Sequence, residues 1–193
     1  RTRWTTVQRG DRTMIDGVEV RVIHPSPPDW ERQDVRNDDS IVIELRWREV
    51  SFVFTGDIGR DTEREIAPLF EPARLRVLKA PHHGSITSSS EAFVNALEPD
   101  VAVISVGRSN NFGHPSPVVL GRYAAVGAQV FRTDRHGAVT VDTDGEDLAV
   151  HTYAELMDGG LPRRHEDTKS SQGQRATQSI GAPNDVAASD ATR

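Results

Sequence analysis

Residues 75–85 read LRVLKAPHHGS, and this stretch decides the fold of the chain. Its first part, residues 75–79, is a short and mainly apolar run of the kind that forms a buried strand. Pro81 ends the run, and two histidines, a glycine and a serine follow at once. A buried strand that runs directly into histidines predicts a layered α/β protein with a functional site where the strand ends.

Two more motifs have the same arrangement, one on each side of this stretch. Upstream, the apolar run SFVF (residues 51–54) leads into TGD (residues 55–57), and downstream VAVISVG (residues 101–107) precedes NFGHP (residues 111–115). A carboxylate and three histidines at the ends of successive strands are the residue types from which hydrolytic metal sites are built. The sequence therefore predicts a divalent cation, zinc or manganese, that turns bound water into a nucleophile near neutral pH.

The composition excludes several classes of site. There are no cysteines among the 193 residues, so disulfides and thiolate zinc sites are excluded. The net charge of −6 argues against broad electrostatic binding of nucleic acid, although a metal hydrolase can hold a phosphate through its cations. No apolar run approaches the roughly 20 residues that span a bilayer, so we expect no transmembrane segment in this chain.

Around the three motifs, the hydrophobic pattern alternates between strand and helix. This alternation, which follows an initial run of strands, predicts an α/β fold with layers of helix and mixed sheet. We expect one domain over residues 1–157 and a disordered polar tail over residues 158–193, which has no apolar period. Strands are predicted at residues 1–7, 13–15, 18–23, 40–46, 50–54, 75–79, 101–106, 129–133, 138–141 and 148–152, and helices at residues 61–69, 91–97 and 117–126.

The order of the motifs resembles the C-terminal metallo-β-lactamase-like domain of ComEC, a family of DNA-uptake competence proteins. The resemblance covers about residues 15–142. It implies an α/β fold that forms the C-terminal part of an αββα sandwich, with mixed sheets, helices on the outer face and the metals at one edge of the sheets. The motifs that carry it are NDDSIV, TGD, LKAPHHGS, ISVG, GHP, TD and GAV, at residues 37–42, 55–57, 78–85, 104–107, 113–115, 133–134 and 137–139.

The same resemblance implies a function. The family pattern is that of a phosphodiesterase with two divalent cations, zinc or manganese, in each complete site, which degrades the non-transported strand during DNA uptake. DNA is then the expected substrate, and a membrane channel domain is the expected neighbour in the parent protein. The parent family resides in the inner membrane, with this domain on the outer, periplasmic or extracellular, face.

One departure from the family pattern limits these expectations. Family members bind most of their metal through an upstream H-x-H-x-D-H motif, which does not occur in the 193 residues. We therefore expect a domain that is incomplete at its N-terminus, supplies about half of the site and is inactive alone. Two alternatives remain open: a non-catalytic remnant or interaction module of the same fold, and a hydrolase that acts on another ester or on a lactam.

Asp57 and His114 are the first candidates for metal ligands. As a ligand, Asp57 would bridge two cations through its two oxygens; as a structural residue, it would cap the helix that begins near residue 61. His114 sits between a glycine and a proline before a helix, where it can reach a metal, and the alternative is a loop histidine that packs beside Phe112. With the resemblance, the metal role is favoured for both.

His82 and His83 are candidates for catalytic and ligand roles. Because they are adjacent, their side chains diverge on an extended backbone, and both cannot easily serve one metal. One is expected to face the metal or the scissile phosphate, as a ligand or as the proton donor to the leaving oxygen, and the other to orient it. His83 is favoured as the ligand. Ser85 offers a hydroxyl and a backbone N–H for a phosphate oxygen, the alternative being an ordinary turn.

Further polar residues near the motifs have weaker assignments. Arg108 and Asn111 are candidates for substrate binding, Arg108 because its charge would neutralise a phosphate. Asn37 and Ser40 are interpreted as a structural tie before the strand that follows them. Among the remaining histidines, a metal role has a low expectation for His24 and His136, and none is expected for His151 and His165.

Overall fold

The structure is a computed structural model that describes residues 5–27, 36–158 and 163–165 of the chain. Within these ranges the fold has three layers, namely helices, a seven-stranded mixed sheet and a three-stranded antiparallel sheet. No helix in the described ranges is long and apolar enough to cross a membrane. The architecture confirms the predicted α/β class, with a large mixed sheet and helices on its outer face.

The large sheet begins antiparallel and becomes parallel. Pairs from β1 to β4 are antiparallel, and pairs from β4 to β7 are parallel. The carboxyl ends of the four parallel strands therefore lie at one edge of the sheet, where α/β proteins place their ligand sites. The strands lie in sequence order, as β1 (Arg12–Ile15), β2 (Val18–His24), β3 (Val42–Trp47), β4 (Val50–Phe54), β5 (Leu75–Lys79), β6 (Val101–Ile104) and β7 (Gln129–Arg132).

Three helices connect the parallel strands and cover one face of the sheet. Their buried side chains, including Ile66, Phe93 and Tyr123, form one apolar core with Val53 and Leu78 of the strands. These strand residues alternate with residues that point to the other face, as the period of a strand requires. The helices are α1 (Arg60–Ile66), α2 (Glu91–Leu97) and α3 (Pro117–Ala125).

A small antiparallel sheet lies on the opposite face. Leu148 and Val150 of this sheet pack with Val77, which precedes Leu78 on β5 and so points away from the helices. A second apolar cluster is thus enclosed between the two sheets. The strands are β8 (Val139–Thr143), β9 (Leu148–Thr152) and β10 (Arg163–His165), in the order β10-β9-β8.

The structure departs from the predicted elements near the ends of the domain. Residues 5–7, predicted as part of a strand, form none; residues 1–4 lie outside the described residues. Two short helices were not predicted, α4 (Thr133–His136) and α5 (Tyr153–Met157). Within the predicted tail, residues 163–165 form β10, whereas residues 159–162 and 166–193 lie outside the described residues.

Candidate metal site

The three motifs meet at the carboxyl edge of the parallel strands. Asp57 follows β4, His82 and His83 follow β5, and His114 lies in the loop between β6 and α3. Because these strands are parallel and adjacent, residues just beyond their carboxyl ends are neighbours in space. The sheet topology alone therefore brings one carboxylate and three imidazoles to the same place.

The carboxylate of Asp57 lies between a histidine and a lysine. Its Oδ2 is 3.4 Å from Nε2 of His83, and its Oδ1 is 3.6 Å from Nζ of Lys79. The backbone N–H of Asp57 donates to Oγ of Ser40 at 3.0 Å. Asp57 and His83 are 36% and 44% exposed, so a ligand can reach both side chains from solvent. Ser40 is a structural tie, as predicted, and it acts on the backbone of Asp57.

The alternative role of Asp57, as a helix cap, is taken by another residue. Gly59 is the N-cap of α1, and its backbone N–H donates to Oδ1 of Asp38 at 2.7 Å. The same oxygen accepts from Oγ1 of Thr62 at 2.9 Å. Asp38 therefore satisfies the start of α1, and the carboxylate of Asp57 is left for interactions at the sheet edge.

The hydrogen bonding of His83 fixes the direction of its second ring nitrogen. Nδ1 lies 2.7 Å from the carbonyl oxygen of Ser105, which can only accept, so Nδ1 carries the hydrogen. In the neutral ring, Nε2 is then an acceptor, and it faces the acceptor Oδ2 of Asp57. Two facing acceptors need a proton or a cation between them. A histidine that donates its other N–H to a carbonyl is the usual arrangement of a metal ligand.

The distance between Asp57 and His83 fits two ligands of one cation. With zinc–nitrogen and zinc–oxygen bonds of about 2.0–2.2 Å, two ligands of a tetrahedral site are about 3.4 Å apart. The observed separation of Nε2 and Oδ2 is 3.4 Å. Nitrogen and oxygen donors of this kind suit zinc or manganese. The pair therefore fits a divalent cation in both chemistry and spacing.

His82 and His83 diverge, but not on an extended backbone. Both adopt left-handed angles, with φ of 46° and 54°, which is uncommon outside glycine. His83 lies beside Asp57, whereas the ring of His82 lies 5.9 Å from that of His114. Nε2 of His82 is 3.5 Å from Nδ2 of Asn37. The histidine favoured as ligand from the sequence is thus the one that contacts the candidate carboxylate.

A close contact between Gly84 and Pro115 joins the second and third motifs. Gly84 has φ of +78°, and a Cβ built on it would lie 2.7 Å from Cβ of Pro115. The N–H of Ser116 also donates to the carbonyl of Gly84 at 2.9 Å. Only glycine allows this backbone angle and this approach together. The contact fixes the position of His114 relative to His82 and His83.

His114 is held by its backbone and packs through its ring. Its N–H donates to Oδ1 of Asn110 at 2.9 Å, and its carbonyl accepts from Nδ2 of Asn110 at 3.0 Å. The ring stacks on Phe112, as the structural alternative foresaw, and also contacts the ring of His82. Burial and, to a lesser degree, the neighbouring His82 and His83 hold its pKa below the usual histidine value. The lowered pKa favours the neutral imidazole that metals require.

His83 and His114 open into a common cavity. The cavity has a volume of about 410 Å³ and lies where the loop after β6 faces the start of α4. Of the side chains predicted to bind metal, these two line it. The other lining residues are Ser105, Val106, Gly107, Asn110, Phe112 and Thr133.

Three predicted site residues lie away from the Asp57–His83 pair. Ser85 is buried, its hydroxyl pairs with Oγ1 of Thr87 at 2.9 Å, and its N–H donates to the carbonyl of His82 at 2.8 Å. The groups foreseen for a phosphate are therefore engaged inside the turn. Arg108 and Asn111 are exposed, and neither lines the cavity, to which the neighbouring Asn110 contributes instead.

The remaining histidines have structural contacts. Nε2 of His24 lies 2.7 Å from the carbonyl of Asp38, so this buried ring supports Asp38, which accepts from the N-cap of α1. Nδ1 of His136 accepts the backbone N–H of Arg132 at 2.9 Å. His151 pairs with Asp142 at 3.0 Å. The low expectation of a metal role for His24 and His136 agrees with these contacts. The side chain of His165 lies outside the part of the chain that the structure describes.

Sequence reasoning missed Lys79. Its Nζ donates to the carbonyl of Gly56 at 2.9 Å and lies beside Asp57, so it fixes the turn that presents the carboxylate. Burial lowers the pKa of this ammonium, and the charge of Asp57 acts in the opposite direction. The available signal was a lysine at the last position of a mainly apolar strand, directly before the Pro-His-His motif. The strand pattern alone does not predict which residues this lysine contacts.

The described residues do not complete a metal site. Among them, no group of three or more His, Cys, Asp and Glu side chains is arranged to hold an ion. Catalytic zinc sites have three protein ligands and one open position. Asp57 and His83 thus provide two ligands of the right kind, and further ligands are needed for a catalytic centre.

Comparisons with known proteins agree with the order of the motifs. The model of the metallo-beta-lactamase superfamily matches residues 15–108. The chain is 34% identical over 133 residues to ComE operon protein 3 of Bacillus subtilis (strain 168), which is 69% of this chain and 17% of that protein. It is 35% identical over 130 residues to the competence protein ComA of Neisseria gonorrhoeae, which is 66% of this chain and 18% of that protein.

A third relative, the uncharacterized protein YcaI of Escherichia coli (strain K12), is 30% identical over 131 residues, or 67% of this chain and 17% of that protein. The chain thus spans less than a fifth of the length of each of these relatives.

Proposed function

Because the chain carries a ComEC-like metallo-β-lactamase domain, we propose that its function is metal-dependent hydrolysis of phosphodiester bonds in DNA during competence. The observation that carries the proposal is the Asp57–His83 pair, with Nε2 and Oδ2 facing each other at 3.4 Å. The likeness to the competence protein ComA and to ComE operon protein 3 supports the process, and phosphodiester bonds are the class of ester that DNA presents.

The residues at the sheet edge have distinct roles in this proposal. Asp57 and His83 hold a divalent cation, zinc or manganese, and Ser105 orients His83 through its carbonyl. When bound, such a cation supplies a water of lowered pKa and stabilises negative charge on the phosphate. His114, in the same cavity, offers a neutral imidazole as a further ligand.

His82 is assigned a proton-transfer role. It lies next to His83 and His114 in space, yet its ring approaches Asn37 rather than Asp57. A histidine near the cation and outside the ligand pair is well placed to donate a proton to the leaving oxygen. Lys79 acts through the turn that it fixes, as a positioning residue for Asp57.

The number of cations that Asp57 could hold depends on Lys79. If Asp57 were to hold two cations through its two oxygens, the second would take the place beside Oδ1, which lies 3.6 Å from the ammonium of Lys79. Two cations therefore require Lys79 to leave Oδ1, whereas one cation beside His83 does not. Metal analysis of the wild type and of Lys79→Met separates the two cases, since only the variant gains a cation if Lys79 occupies the second position.

The test combines metal content with cleavage of linear DNA. The 193-residue chain and the longest product of its gene are compared, each with Asp57→Asn and with Asp61→Asn, an exposed carboxylate on α1, as the matched control. We expect bound zinc or manganese and metal-dependent cleavage in the longest product and its Asp61 variant, and neither in the Asp57 variant. A β-lactam and a thioester assayed beside the DNA test the other substrates of the superfamily.

A non-catalytic role is the second candidate, because the described residues contain no group of three metal-ligating side chains. If the longest product holds no metal and leaves all these substrates intact, the hydrolase proposal fails and an interaction module remains.

The proposed hydrolase works beside a membrane channel domain, on the outer face of the inner membrane.

A further inference from the structure

Phe112 is the most exposed large apolar side chain in the described part of the chain, with 80% of its surface accessible. It also lines the cavity that contains His83 and His114. Single exposed apolar residues are common on proteins, but this one lies at the rim of the candidate site. This position suits a ligand that offers an apolar face.

The loop that carries Phe112 is held in place. Both amide hydrogens of Asn110 are used, by the carbonyls of Gly107 and His114, and its oxygen accepts the N–H of His114. The ring of Phe112 stacks on that of His114, with centroids 5.8 Å apart and an interplanar angle of 18°. Phe112 is therefore a pre-positioned aromatic surface rather than a loose side chain.

The cavity beside this ring has the size of a small-ligand site, and two of its polar side chains are already engaged. Its volume of about 410 Å³ lies within the range of about 300–1,000 Å³ typical of such sites. Asn110 is fully engaged, and Oγ1 of Thr133 both accepts from the N–H of Val106 and donates to its carbonyl. The lining thus presents aromatic and imidazole rings, and Asn110 and Thr133 use their side-chain hydrogen bonds within the protein rather than on the edge of a base.

We propose that Phe112 is a stacking platform for a nucleobase next to the phosphodiester held at Asp57 and His83, so that the site takes single-stranded DNA without base preference. The inference rests on the proposed function and specifies its substrate. Base–aromatic stacking tolerates any sequence, because every base has a π-face. In a duplex these faces are covered by neighbouring bases, and an unpaired strand exposes them.

The charge of the chain agrees with a stacking contribution. With a net charge of −6, the chain is acidic rather than basic overall, and broad electrostatic binding of nucleic acid is typical of basic domains. Replacement of Phe112 should therefore weaken binding without changing its dependence on salt. Loss of a phosphate contact would instead reduce the salt slope.

The test measures binding by fluorescence anisotropy with two labelled oligonucleotides of equal length. One is oligothymidylate, and the other carries abasic sites throughout. The variants Phe112→Ala, Phe112→Leu and Phe112→Trp are compared with the wild type, and Tyr153→Ala is the control. Tyr153 is 57% exposed and does not line the cavity. Circular dichroism and a thermal melt confirm that each variant is folded.

We expect the alanine and leucine variants to bind oligothymidylate roughly 5- to 150-fold more weakly, the range for loss of one stacked base. The tryptophan variant and the control should bind like the wild type, and affinity for the abasic strand should be unaffected by Phe112→Leu. Equal binding of oligothymidylate by the leucine variant and the wild type would overturn the inference.

A wild type that binds both strands equally, or neither, would also overturn it. The comparison of the Phe112 variants concerns the stacking residue, whereas a wild type that binds neither strand would also count against DNA as the substrate. The hydrolase proposal is decided separately, by the metal content and DNA cleavage of the Asp57→Asn variant.

Discussion

The same sheet carries two polar clusters, one closed and one open. In the closed cluster, Glu44 on β3 is fully buried, and its Oε2 accepts from Nη1 of Arg21 at 2.9 Å. Its Oε1 accepts from Oγ of Ser51 at 2.6 Å, and Arg76 lies 3.9 Å away. Arg76 also donates from Nη1 to the carbonyl of Leu97 at 2.7 Å.

The open cluster lies at the carboxyl edge, where Asp57 meets His83 and Lys79. Here two acceptors face each other, and both side chains remain partly exposed. In the described part of the chain, every buried side-chain nitrogen and oxygen has a hydrogen-bond partner. Complete pairing serves the fold, whereas the accessible pair at the strand end leaves room for the cation of the proposed function.

Removal of Glu44 should have the largest effect, because it breaks the closed cluster. Glu44→Ala removes the buried carboxylate beside Arg76 and leaves Arg21 with only the more exposed Glu71, so we expect the free energy of unfolding to fall by about 3–5 kcal/mol. Urea unfolding measures the change. Glu49→Ala, at an exposed ion pair with Arg74, is the control and should cost less than about 1 kcal/mol. A loss of similar size in both variants would remove the distinction between the clusters.

Asp57→Asn should lower metal affinity rather than stability, because Asp57 belongs to the open cluster. The amide can donate to Nε2 of His83, so in the presence of a chelator we expect an unfolding free energy within about 0.5 kcal/mol of wild type, or higher. The affinity for zinc or manganese should fall by at least about 100-fold, since an anionic ligand is lost. Urea unfolding and metal titration measure the two effects. A strongly destabilised variant would mean that Asp57 is a structural residue.

Gly84→Ala should separate the motifs that form the open cluster. Gly84 and Gly113 both have positive φ, but only Gly84 lies against Pro115, so Gly113→Ala is the matched control. The left-handed backbone costs each variant about 1 kcal/mol, and overpacking costs Gly84→Ala about 1–3 kcal/mol more. Thermal unfolding gives the stabilities, and metal titration shows whether His114 still lies near His83. Equal stabilities would contradict the observed contact.

The smallest expected effect on the free energy of unfolding concerns another ion pair, between Arg132 and Asp134. Nε and Nη2 of Arg132 donate to the two carboxylate oxygens at 3.0 and 2.6 Å, and these bonds hold the pKa of Asp134 below its usual value. The pair therefore stabilises the fold above the unfolded pKa, and this contribution is lost as pH falls through the lowered folded pKa.

We expect Asp134→Asn to cost at most about 1 kcal/mol near pH 6, and the difference from wild type to shrink towards pH 3. Urea unfolding at several pH values measures it. A difference that grows on acidification would show that the sign of the pKa shift is wrong.

The sequence predicted the sheet well where apolar runs are bounded by clear turns. The strand at Leu75–Lys79 was predicted to the residue, because Pro81 ends it and three apolar side chains fill it. The short helices Thr133–His136 and Tyr153–Met157 were missed. A helix of four or five residues has almost no periodic signal, and its stability comes from tertiary packing.

The sequence by itself determined which chemistry gathers at the carboxyl edge. Residue types placed just after parallel strands meet there in any register, so a carboxylate and histidines were bound to lie together. Only the tertiary structure decided that His83 rather than His82 lies beside Asp57, that Asp38 accepts from the N-cap of α1 and that Lys79 holds the turn before Asp57. These pairings depend on left-handed turn angles and on contacts between residues far apart in the chain, which strand and helix periodicity does not encode.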